Sequence, residues 1–230
     1  MVTVKRSSCA FLTVFCFTLI APTAVAQKPD PQADSAYAIA VGLHRGRLYD
    51  RAIEKWKGFL SRFPKDARAA RAMHYLGVCQ MQSGKHTDAL ATFRQVLKTY
   101  PKFESRTATE FNLALTLHKI AKQSKKAQDF KAAAQAFAVI RTADARFSQG
   151  ECLYDAGDKA GALTVHQSLI RDFPKSDALP DAYYSVGVLQ EELKQYPQAL
   201  ATFQALVQKY PKHPNTSECR LRTGQLYLRL

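Results

Sequence analysis

The sequence predicts an all-α chain, a right-handed solenoid of antiparallel helix pairs with about five units and one terminal helix. Three observations predict it. Counting from Gly187, an alanine follows at twelve residues (Ala199), an aromatic at sixteen (Phe203) and a proline at twenty-four (Pro211). The same offsets recur from Gly77 (Ala89, Phe93, Pro101), from Gly150 (Ala162, His166, Pro174) and from Ala40 (Ala52, Trp56, Pro64). The prolines Pro64, Pro101, Pro174 and Pro211 are 37, 73 and 37 residues apart, so one more unit of similar length lies in the middle. Between these marks apolar residues recur at helical spacing, and a fixed period of this length marks stacked helical repeats.

Residues 1–26 read as a secretory signal peptide. Lys5 and Arg6 open it, Cys9 to Ile20 is an apolar run of twelve, Pro22 breaks the run, and Ala24-Val25-Ala26 is a small-x-small cleavage site. A run of twelve spans about 18 Å as a helix, too short for a hydrocarbon core of roughly 30 Å. The mature chain is therefore expected to be exported, periplasmic or secreted, with no transmembrane span. Residues 27–35, with two prolines and no large apolar side chain, read as a flexible lead-in.

The repeat array occupies 36–230, in units of about 36–66, 70–104, 107–142, 143–177 and 180–214, with a half unit over 216–230. Each unit is a helix, a tight turn and a second helix. Gly or Ala in the first helix lets two backbones approach, and Gly42, Gly77, Ala114, Gly150, Gly187 and Gly224 lie in or near that column. Rings such as Trp56, Phe93 and Phe203 fill the space between helix pairs. Proline closes the second helix because it lacks the N–H and biases its predecessor away from helix.

The third unit departs from the ruler. Ala133 lies nineteen residues after Ala114 instead of twelve, which predicts seven inserted residues around Lys122 to Gln128 and a longer basic loop there, with Lys122, Lys125 and Lys126. Its second helix, Asp129 to Arg141, lacks a closing proline, and Thr142 or Asp144 is placed to cap the helix that follows. The last helix ends in Leu221, Leu226, Tyr227, Leu228 and Leu230. Such a face either packs on a second copy or partner, or belongs to the front part of a longer repeat array.

Cys79, Cys152 and Cys219 remain after leader removal, an odd number that excludes full pairing. Cys79 and Cys152 sit two repeats apart, beyond the reach of a disulfide, and read as small buried apolar residues. Cys219 either stays a free thiol or pairs with another chain. The formal net charge is +14, about +12 without Lys5 and Arg6. That balance favours anionic partners at long range. Part of it is a turn lysine directly after each repeat proline: Lys65, Lys102, Lys175 and Lys212.

The small, alanine, aromatic and proline columns together resemble the tetratricopeptide repeat over about Ala36 to Leu230. With its F/Y-P-K endings and Tyr-rich first helices, the chain is similar to envelope tetratricopeptide proteins such as the periplasmic partner of the Tol-Pal system and the lipoprotein of the outer-membrane barrel-assembly machinery. The resemblance implies a non-enzymatic scaffold whose first helices line a concave groove for a partner protein. On that face, three residues before the small column, stand Tyr37, His74, Phe111, Phe147, Tyr184 and Leu221. One residue after it stand Val41, Val78, Leu115, Glu151 and Val188; four after, His44, Met81, His118, Tyr154 and Glu191. The outer columns add Asp34, Arg45, Arg71 and Lys119 in the first three units. Units four and five add Asp144, Asp155, Asp181 and Glu192 with no base, which points to a basic segment of the partner there.

Other chemistries have no support. His44, His74, His118 and Cys79 lack the spacing of a metal site, so no metal or cofactor is expected. No nucleophile elbow, phosphate-binding glycine loop or dinucleotide fingerprint occurs, and no specific nucleic-acid motif. The alternatives to a protein scaffold are a binder of anionic envelope polymer or membrane surface through basic loops, and a homo-oligomer assembled through the C-terminal helix.

Overall fold

The structure is a computed structural model and describes residues 30–230; the expected signal peptide lies outside the described residues. Among the described residues eleven helices follow one another: α1 (Pro31–Arg45), α2 (Tyr49–Arg62), α3 (Ala69–Gln82), α4 (His86–Thr99), α5 (Arg106–Ser124), α6 (Ala127–Ala138), α7 (Ala143–Asp155), α8 (Lys159–Asp172), α9 (Leu179–Glu192), α10 (Tyr196–Lys209) and α11 (Thr216–Arg229). Substantial packing runs between consecutive helices, the pattern of a solenoid in which each unit touches its neighbours. No described helix is long and apolar enough to cross a membrane.

The rings, expected to lie between helix pairs, sit instead on the small column of their own pair. A Cβ at Gly77 would stand 2.6 Å from the Phe93 ring, one at Gly187 2.4 Å from Phe203, and one at Gly150 2.4 Å from His166 Nε2. The rings sit directly on the glycine backbone, which is why a small residue is needed there. Ala40 and Ala114 serve the same column and are fully buried. Gly42 does not belong to it, since nothing lies within 4 Å of its Cβ position.

Turns of two kinds alternate. Within a unit the chain reverses through one residue of positive φ: Arg47, Gly84, Lys125, Gly157 and Lys194 in turn. Between units, Phe63, Tyr100, Phe173 and Tyr210 end the second helix with ψ of 54, 67, 60 and 58°, outside the helical region that a following proline disfavours. Thr142 caps α7, its hydroxyl accepting from the Ala145 N–H at 3.2 Å.

Two expectations need correction. The lead-in of 27–35 is helical from Pro31: Asp30 accepts from the Gln32 N–H at 2.8 Å, a proline occupies the first turn, and Ala33 is buried. An aspartate before a proline is a start signal, and here it outweighs the polar composition. The predicted basic loop does not form. The seven extra residues lengthen α5 to 19 residues, because the stretch through Ser124 holds no breaker, and only Lys125 and Lys126 separate it from α6. Phe137 then takes the ring position against Phe111, at 5.4 Å between centroids.

Candidate partner-binding groove

The ring stripe on the first helices is half core and half surface. Tyr37 packs edge-on against Trp56 at 5.1 Å and Phe59 at 5.3 Å, Phe147 lies 5.2 Å from His166, and Tyr184 6.5 Å from Phe203. Each therefore keeps one edge in the core of its own unit while remaining half-buried, as are His44, His118 and Val188. Leu221, sixth in the column, is exposed.

His74 and Met81 are not available to a ligand. His74 is 8% exposed and its Nδ1 lies 2.8 Å from Thr109 Oγ1 on α5; burial lowers its pKa to about 4. Met81 is 4% exposed and packs in a cluster with Ala89 and Phe93. In the second unit the neighbouring α5 closes over these positions, so the floor that remains open runs mainly through units three to five. A cleft of about 330 Å³ lies between Phe111 and Asp144, bounded by Ile140 and Thr142.

Polar contacts tie successive units along this face. Arg71 reaches Glu104, and Arg68 holds Asp34 at 2.7 Å. His44 Nδ1 lies 3.2 Å from Cys79 Sγ. Further on, His118 Nε2 meets Asp155 Oδ2 at 3.0 Å, the Tyr154 hydroxyl donates to Glu192 Oε1 at 2.9 Å, and Arg222 Nη1 donates to Glu191 Oε2 at 2.9 Å. Lys159 Nζ adds a second contact to Glu192 at 3.1 Å, and His213 Nε2 lies 3.6 Å from Asp181.

These contacts correct the expected charge balance. Bases do reach units four and five, Lys159 from the start of α8 and Arg222 from α11 in the half unit that follows, and they compensate Glu192 and Glu191. Both lie outside the columns that helical spacing assigns to the groove, so only the fold brings them in. Glu151 is different. Its side chain is half exposed and makes no hydrogen bond or close ion pair among the described residues; burial first, then Asp155, pushes its carboxyl above the ordinary range, with Lys122 and His118 offsetting part of the effect. Lys122 ends up on α5, and Lys125 and Lys126 form its exposed turn.

The three cysteines are free and buried, and Cys219 is fully enclosed, so it does not offer itself to another chain. Burial raises the thiols to about 11 at Cys79 and Cys219 and about 12 at Cys152. Among the described residues no group of three metal-ligating side chains converges.

Two family models described as tetratricopeptide repeat match the chain, one over residues 32–102 and the other over 144–176 and 181–213. The unmatched middle coincides with the lengthened third unit. Among solved structures, a tetratricopeptide repeat protein from Parabacteroides merdae is similar at a TM-score of 0.65 and 14% identity, over 86% of this chain and 73% of that one. MamA from Desulfovibrio magneticus RS-1 is similar at 0.64 and 14%, over 80% and 98%. YrrB, described as a TPR protein with an unusual peptide-binding site, is similar at 0.58 and 20%, over 82% and 91%. No curated protein sequence matches the chain.

Proposed function

Since the chain belongs to the tetratricopeptide repeat family, by matches that together span more than half of it, we propose that it is an exported scaffold of the cell envelope that holds a segment of a partner protein in the groove of its first helices. Tetratricopeptide repeats bind protein partners and are generally non-catalytic. The observation that carries the reading is the open ring stripe of units three to five. Phe111, Phe147 and Tyr184 are fixed from below by their own cores and keep their outer edges accessible, beside the exposed Tyr154 and the half-buried Val188. Pre-set rings on rigid helices supply contact area at small entropic cost, which suits recognition of a peptide segment. The export step rests on the basic, apolar and small-residue regions of 1–26, and the envelope setting on the resemblance of its turns to envelope members of the family.

A second reading, binding to an anionic polymer or membrane surface, is favoured by the charge of +14 and by the exposed Lys122, Lys125 and Lys126. Salt separates the two, because the screening length falls from about 10 Å at 0.1 M to about 3 Å at 1 M. Affinity capture from an envelope extract with the wild type and with Val188→Asp, at both salt levels, is the test. A protein retained by the wild type at 1 M salt and lost from the variant supports the groove. Capture that ignores the variant and is stripped by salt overturns it in favour of the polyanion.

A further inference from the structure

In four units the residue after the small column is aliphatic: Val41, Val78, Leu115 and Val188. In the fourth unit it is Glu151. The ring beneath is Trp56, Phe93, Phe137 or Phe203 elsewhere, and in the fourth unit it is His166. The two departures fall in one unit and face each other, His166 Nε2 lying 3.9 Å from Glu151 Oε1, just beyond hydrogen-bond distance. His166 is 1% exposed and neither ring nitrogen has a partner. Its Nε2 edge lies directly under the turn of α7 that carries Gly150 and Glu151.

Most of the surrounding carboxylates are engaged, Asp155 by His118, Glu192 by Tyr154 and Lys159, Glu191 by Arg222 and Asp181 by Asn215, while Asp144, in the first turn of α7, makes no such contact among the described residues. Glu151 is left on the groove floor with an uncharged, unpartnered imidazole behind it. Burial disfavours both the charged carboxylate and the charged imidazole, and Lys122 and His118 offset this only in part and without an ion pair to Glu151, so a close positive partner has to come from the open side. We propose that Glu151, backed by His166, selects the partner by receiving a lysine or arginine side chain of the bound segment. Leu115 and Val188, in the same column one unit to either side, receive apolar side chains, so the segment carries a base between two apolar residues. This assignment rests on the groove reading above, and it gives the basic character of the partner one defined contact.

The test uses twelve-residue random peptides displayed on phage and selected separately on the purified full chain and on Glu151→Val, with Glu151→Gln as an isosteric second variant. Unchanged thermal midpoints establish that both variants fold. The wild type should select peptides that share one Lys or Arg between apolar positions. Alanine at that base should weaken binding to the wild type about tenfold, the scale of a charge-assisted hydrogen bond, and binding to either variant less than twofold. Peptides that are lost on Val188→Asp but carry no common base, or that keep it on Glu151→Val, would overturn the role of Glu151 and leave the groove standing. If no selected peptide responds to Val188→Asp, the groove reading fails and this inference fails with it.

Discussion

Replacing His166 by phenylalanine should stabilise the protein, and the gain should grow on acidification. The site is already proven for a phenyl ring: Phe203 sits on Gly187 and Phe93 on Gly77 as His166 sits on Gly150. Phenylalanine removes two buried nitrogens without partners. An unsatisfied buried polar group costs about 1–3 kcal/mol, so a gain of about 2 kcal/mol is expected at pH 7. For an array of about 200 residues this raises the thermal midpoint by about 4–8 °C. The acid term follows from proton counting. Burial lowers the folded pKa of His166 to about 4 from its ordinary value of 6.5, so between these limits the unfolded chain binds more protons. Wild-type stability is therefore free of this penalty above pH 6.5 and carries all of it below pH 4, a loss of about 3 kcal/mol. His74, with its own lowered pKa, and Glu151, shifted the opposite way, are present in both proteins and largely drop out of the difference. Circular-dichroism melts of both proteins at pH 7, 6, 5 and 4 give the result. Equal midpoints at pH 7 together with parallel loss of stability on acidification would refute the reasoning.

The small column makes a paired prediction. Gly187→Ala should destabilise by about 1–3 kcal/mol, since the new methyl meets the buried Phe203 ring, whereas Gly224→Ala, with nothing within 4 Å, should be neutral or gain up to about 1 kcal/mol of helix propensity. Denaturant melts compare the two, and equal losses would contradict the column. Cys79, Cys152 and Cys219 should resist a thiol reagent at pH 8 in the folded chain and react promptly in denaturant; a fast-reacting thiol in the native protein would show that one of them is not enclosed. Thr142→Ala should cost about 1 kcal/mol through loss of the α7 cap, read in the same melts, and no change would mean the cap is redundant.

The small, alanine, ring and proline columns were legible because they are the contacts themselves: the ring at offset sixteen lands on the small residue of its own unit. Three features were not. The insertion at Lys122 to Gln128 reads as a loop by composition, yet no glycine or proline interrupts it, and helix continues until Lys125 takes a left-handed turn. His74 and Met81 share columns with open groove residues but are buried by the next unit, a contact between units that periodicity along one helix does not report. Lys159 and Arg222 enter the acidic half from positions outside those columns, so counting charges by column finds carboxylates without their partners. Conversely, the coincidence of Glu151 and His166 was visible as two separate departures from pattern, and only the 3.9 Å approach joins them.

The central claim is that a partner segment lies along the first helices. A peptide selected on the wild-type chain, carrying a photo-cross-linking phenylalanine analogue at successive positions, tests it by mass-spectrometric mapping of the attachment sites. Cross-links on α5, α7 and α9, near Phe111, Tyr154 and Val188 and shifting in order with the probe position, are the predicted result. Attachment to the outer faces of α4, α6 and α8, or to the turn at Lys125 and Lys126, would contradict the account.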